Sequence, residues 1–108
     1  MATSVEFIEF VCEQIRGTGN IRYKKMFGEY MVWVDEKPIL LVCDDTVYVK
    51  MLPVLDELMI NADKGFPYGG AKEHYILDID DSETARRVVE ELLQVVPVRK
   101  PRSKKKKV

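Results

Sequence analysis

The chain is poor in the residues that build reaction centres. It has 108 residues, one histidine, two cysteines and one tryptophan. The lone His74 has no Cys or Glu at metal-ligand spacing, so a zinc motif is excluded. Cys12 and Cys43 fit no CxxC pattern and read as two reduced, buried thiols. The available serines are Ser4, Ser82 and Ser103, two at helix starts and one in a charged tail, so a Ser-His-Asp nucleophile is not expected. Long apolar runs are also missing. The longest, Ile39–Cys43, is far short of a membrane span. The opening residues carry no basic n-region, and Glu6, Glu9 and Glu13 interrupt any signal-type core. The expectation is a cytoplasmic protein with no membrane contact and no cofactor.

What is present is enough for one domain. A chain of this length buries roughly 65% of its unfolded surface and needs neither metal nor disulfide to fold. Its net charge of −1 conceals two opposed parts. Residues 1–96 carry a net −8, and residues 97–108 carry +7 with no acid. The chain divides into a domain over 1–97 and a disordered basic tail over 98–108.

Apolar periodicity supplies the elements. Phe7, Ile8, Val11, Cys12 and Ile15 fall on one helical face within 4–16, with Thr3 and Glu6 at capping-box spacing. Tyr30–Asp35, Ile39–Cys43 and Thr46–Lys50 are rich in β-branched and aromatic residues. Short acidic breaks join them into an antiparallel meander of three strands, the first starting as early as Arg22 and bending at Gly28. Pro53 opens a second helix carrying Val54, Leu55, Leu58 and Met59. Phe66–Tyr68 and His74–Ile79 read as two more strands around Gly69-Gly70. A third helix follows, with Asp80 and Glu83, or Ser82, as its cap. Its stripe is Ala85, Val88, Val89, Leu92, Leu93 and Val96, and Pro97 ends it. The fold class is α+β, a single domain in the order α-β-β-β-α-β-β-α, an antiparallel sheet with flanking helices.

Four features could carry a contact. Arg22, Lys24 and Lys25 surround Tyr23 in a basic-aromatic patch, a composition used to hold single strands, though the patch is small, the body is acidic, and a solvated strand face is the plainer reading. Tyr30 and Trp33 share a strand with Met31 and Val32, so both sheet faces are partly apolar, and the face away from the helices needs a cover such as a second copy. Gly65–Gly70 could let Phe66 and Tyr68 stack on a small molecule, although a hairpin turn with core aromatics is the plainer reading. Arg99, Lys100, Arg102, Lys104, Lys105, Lys106 and Lys107 would attract any polyanion weakly by counterion release. The acids Asp78, Asp80, Asp81 and Glu83 lack a calcium-loop pattern and read as helix capping.

The stretch Arg22-Tyr23-Lys24-Lys25-Met26-Phe27-Gly28-Glu29-Tyr30 resembles the N-terminal domain of the TfoX/Sxy competence-regulator family. Met26, Phe27, Gly28 and Tyr30 match that family's Met-Phe-Gly-Gly-Tyr. Val42, Asp45, Val47, Tyr48, Val49 and Lys50 keep its later pattern. Phe66-Pro67-Tyr68 and His74-Tyr75-Ile76-Leu77 look like its next landmark. The resemblance spans about residues 4–96. Glu29 stands where the family has a second glycine, and Asp35-Glu36-Lys37 where it has an Asp-Gly turn. Full-length members of the family carry a second, helical domain; with only the basic tail in that place, this chain resembles the family's small stand-alone versions. The resemblance implies an α+β domain, transcriptional co-regulation of competence through a protein partner, and no catalytic residues. Three functional expectations follow: a non-enzymatic regulatory domain, with a homodimer among its assemblies; a weak sequence-independent nucleic-acid binder acting through the tail; and a small-molecule domain using Gly65–Gly70.

Overall fold

A computed structural model describes residues 4–26 and 29–97. Helix α1 runs Val5–Gln14, capped by the Ser4 hydroxyl, which accepts from the Phe7 N–H. Gly17, at φ +95°, lets the chain turn away after it. Four strands follow: β1 (Ile21–Met26), β2 (Glu29–Val34), β3 (Lys37–Cys43) and β4 (Thr46–Lys50). A single 3₁₀ turn, Pro53–Leu55, leads to the two-residue β5 (Lys64–Gly65), then to β6 (His74–Leu77) and helix α2 (Ser82–Val95). The strand order is β1-β2-β3-β4-β6-β5, with every neighbouring pair antiparallel. The α+β class and the antiparallel sheet are as expected.

Besides the cap of α1, which is Ser4 where Thr3 was expected, four details differ from the sequence reading. The meander has four strands, because the expected bent strand divides into β1 and β2, paired from Ile21↔Val34 to Met26↔Glu29. The expected middle helix is one 3₁₀ turn followed by irregular turns. Its bonds run mainly i→i−3, as from the Asp56 N–H to the Pro53 carbonyl, a geometry seldom sustained beyond a few residues. Phe66–Tyr68 is loop, and β5 lies just before it. The cap of α2 is Asp81, whose carboxylate accepts from both the N–H and the hydroxyl of Thr84.

The hairpins β2–β3 and β3–β4 each turn on two residues, Asp35-Glu36 and Asp44-Asp45, all four at positive φ between 52° and 65°. This is the two-residue turn whose twist matches the strands. Asp tolerates the left-handed region; Glu36 is the costly member, at a position that favours glycine.

Both helices pack on one face of the sheet. Ile8, Val11 and Ile15 from the first, and Ala85, Val88, Val89 and Leu92 from the second, share one core with Tyr30, Val32, Val34, Leu40, Val42, Val47, Val49, Tyr75 and Leu77. Leu55 and Met59 close its side. The strands alternate in and out, so the residues between these belong to the opposite face. Ile39 is an extra residue: Val32 pairs Leu40 while Trp33 pairs Pro38, and the bulge restores the alternation on either side. The two layers therefore bury one side of the sheet and leave the other without a covering element among the described residues.

Candidate functional site: the open face of the sheet

The open face is ordered in rows set by strand register. One row crosses five strands: Lys24↔Met31↔Leu41↔Tyr48↔Ile76. Beside it run Arg22↔Trp33↔Pro38 and Lys50↔His74↔Gly65. Met31, Trp33, Leu41, Tyr48, His74 and Ile76 are each only half-buried. Between them lies a groove of about 440 Å³, rimmed by Lys50, Tyr68 and Lys72.

Contacts fix several of these side chains. The Arg22 guanidinium lies 4.9 Å from the Trp33 ring centroid. It is anchored there by Glu36, whose two carboxylate oxygens accept from Nη2 at 2.9 Å and Nε at 3.2 Å. That hydrogen bond draws the Glu36 carboxyl below its usual range and raises Arg22. The indole N–H of Trp33 is sealed from solvent without a hydrogen-bond partner. Tyr48 and His74 meet edge to face, centroids 6.4 Å apart at 89°, and His74 Nδ1 donates to the Lys72 carbonyl at 2.7 Å. Gly65 leaves room on the edge strand for the Ile76 side chain, and the Tyr48 ring is at ordinary contact distance. A Cβ there would sit 3.5 Å from Tyr48 Cε1 and 3.2 Å from Ile76 Cδ1.

The basic-aromatic patch on β1 is divided by strand alternation. Arg22 and Lys24 face the open side. Tyr23 lies on the core side, edge-on to Tyr30 with centroids 5.6 Å apart. Of the family-signature residues, Tyr48 and Lys50 lie on the open face and Tyr30 in the core. Met26 ends β1, and Phe27 and Gly28 lie outside the described residues. So do the tail cations Arg99, Lys100, Arg102 and Lys104 to Lys107. The Gly65–Gly70 expectation is corrected in part. Phe66 and Tyr68 are 62% and 50% exposed and are not core aromatics.

Both cysteines are free. Cys43 is only 2% exposed, and burial, with the Glu29 carboxylate beside it, pushes its thiol up to about 12. Burial, and then Glu9, also raises Cys12, which is half-buried. Among the described residues no three His, Cys, Asp or Glu side chains are grouped to hold a metal ion. No described helix is long and apolar enough to cross a membrane. A broader hollow of about 650 Å³ beside the irregular turns at 58–63 is lined by Asp45, Asp63, Asp78 and Asp80.

The molecule is thus a two-layer α+β domain whose most developed surface is an aromatic, cation-rimmed sheet face. Residues 13–93 match the family model for the TfoX N-terminal domain, and the chain belongs to that family. It is 37% identical, over 99% of its own length and 95% of the other's, to a Spirochaeta aurantia protein described as "Uncharacterized 12.7 kDa protein in trpE 5'region".

Proposed function

We propose that this chain is a non-enzymatic regulatory domain that acts inside the cell, through macromolecular contact made by the open face of its sheet. The observation that carries the reading is the sheet's one-sided cover. A six-stranded sheet with two helices on one face leaves Met31, Trp33, Leu41, Tyr48 and Ile76 half-buried on the other. A contiguous apolar surface of this kind marks an interaction site. Family membership supports a role in transcriptional co-regulation of the competence type. The tail, residues 98–108, adds weak, salt-sensitive attraction to polyanions.

Site-specific photocrosslinking in cells tests the location. A crosslinking side chain at Leu41 should give macromolecular adducts, and one at the exposed Arg87 of α2 should not. Adducts of equal yield from both positions, or none from Leu41, would remove the open face from the function.

A further inference from the structure

The open face has a charge opposite to that of the body that carries it. Residues 1–96 are acidic by eight charges, yet the groove and its adjoining rows present Arg22, Lys24, Lys50 and Lys72. The nearest acids are Glu36 and Glu29, and a separate group with Asp63 and Asp78 lines the hollow beyond Ile76. Glu36 holds Arg22, and Glu29, at the far end of β2, interacts with the Cys43 thiol. Lys24, Lys50 and Lys72 have no ion pair among the described residues. Strand alternation places Arg22, Lys24 and Lys50 on this face and Lys25, Lys37 and Lys64 on the other, and Glu29 is its one strand-borne acid.

The same surface carries four rings, Trp33, Tyr48, Tyr68 and His74, in or beside the groove. They are not stacked on one another. Tyr48 and His74 meet edge to face, and Tyr68 is half-exposed at the rim. Trp33 keeps a buried N–H unsatisfied, a cost that a phenylalanine in the same place would not carry. Rings on a sheet, with cations spaced beyond them, are the arrangement on which unpaired bases stack while phosphates meet Lys and Arg.

Resting on the reading of this face as the contact surface, we infer that its occupant is a short stretch of single-stranded nucleic acid. Bases stack on Trp33, Tyr48 and Tyr68, and phosphates lie along Arg22, Lys24, Lys50 and Lys72. The alternatives fit the charge less well. A second copy meeting face to face would set these cations against their own kind. The chain's own tail would add seven more. A duplex hides the base faces that the rings require. Binding is therefore sequence-tolerant, and the face rather than the tail sets the preference for unpaired strands.

Trp33 is the only tryptophan, so its emission reports on the face alone. The full chain is titrated with oligothymidylate and oligouridylate twelve-mers, and with a duplex of equal length. Emission and, on labelled strands, anisotropy are read together. The single strands should give a saturable fall in Trp33 emission, and the duplex should not. Tyr48→Ala, with its fold checked by circular dichroism, should weaken binding about tenfold, one base-stacking contact. Lys24→Glu with Lys50→Glu, both on exposed side chains, should lower the slope of log affinity against log salt by about 1.4, two phosphate contacts. Replacing Lys104, Lys105, Lys106 and Lys107 by Gln should reduce affinity but keep the full change in emission.

Anisotropy that rises while Trp33 stays silent would place binding on the tail and overturn the inference. Silence in both signals would do the same. A Trp33 signal that depends on protein concentration alone would put a second copy on the face. That result also overturns the inference, but leaves the face as the contact surface. Loss of the Leu41 photocrosslinks is a separate failure, of the contact-surface reading itself.

Discussion

The two faces of this sheet are built from the same strands and obey different rules. On the core side the positions of β2, β3, β4 and β6 beneath the helices are filled by aliphatic and aromatic residues, and Lys25, Lys37 and Lys64 take core-side positions only at the sheet's margins. On the other side apolar rings alternate with cations, and none of the half-buried residues is closed off. Adjacent residues of β3 carry the contrast most directly, because Leu40 is fully buried and Leu41 faces outward. A face selected for stability would not mix Lys24, Lys50 and His74 with Trp33. The difference assigns stability to one surface and contact to the other.

The largest expected effect breaks the comparison at that neighbouring pair. Leu40→Ala should cost about 2–5 kcal/mol in urea unfolding, as a cavity in a sealed core does. Leu41→Ala should cost less than half as much, since its side chain already meets solvent. Equal losses would mean that the second face is also a core, closed by something the chain provides.

The next effect reverses sign. Glu36 occupies a left-handed turn position at φ 65° that favours glycine. Glu36→Gly should raise the unfolding free energy by about 0.5–1 kcal/mol through relief of backbone strain. It also frees Arg22 from its carboxylate partner. Oligonucleotide affinity should therefore rise with stability, whereas a purely structural Glu36 would move stability alone. A fall in both would show that holding Arg22 over Trp33 matters more than freeing its charge.

Much of the core face was legible before any coordinates. The stripe Ala85, Val88, Val89 and Leu92 with Pro97 behind it defines α2, and Ile8, Val11 and Ile15 define α1. These positions repeat at helical spacing and point one way. The open face was far less visible. Lys24, Met31, Leu41, Tyr48 and Ile76 form one row only after four strand pairings are known, and their separations along the chain follow no period. β1 read as the start of one strand bent at Gly28 and not as a strand of its own, because an edge strand needs little apolar residue to mark it. The middle helix failed for a different reason. Val54, Leu55, Leu58 and Met59 have helical spacing, but the chain must return by Asp63, whose carbonyl accepts from the Ile76 N–H. That leaves too little length for a helix to repay its nucleation.

A smaller effect belongs to the helix layer and carries a pH signature. Asp81 caps α2, and its hydrogen bonds from the hydroxyl and N–H of Thr84 hold its carboxyl below the ordinary value of 3.8. A depressed folded value means that the stabilisation is fully present above the unfolded value and is lost as pH falls through the folded one. The thermal midpoint of Asp81→Ala should therefore lie below that of the unaltered chain at neutral pH, and the two should converge as pH falls through the lowered folded value. A constant offset down to pH 2 would show that Asp81 acts by packing and not as a charged cap.

The smallest expected change in stability is at Trp33, where it separates the two faces most cleanly. Trp33→Phe removes ring area and the stacking partner of Arg22, which destabilises. It also removes a sealed, unpartnered N–H whose burial costs about 1–3 kcal/mol. The two contributions oppose each other, and the net change in unfolding free energy should stay within about 1 kcal/mol. Oligonucleotide binding, followed by anisotropy because the fluorophore is gone, should still weaken, since the smaller ring offers less surface to a base. An unchanged affinity would leave Trp33 as a spectator on the open face and move the stacking to Tyr48 and Tyr68. A loss of several kcal/mol would instead make Trp33 a structural residue, and the division between a face for stability and a face for contact would fail at its central ring.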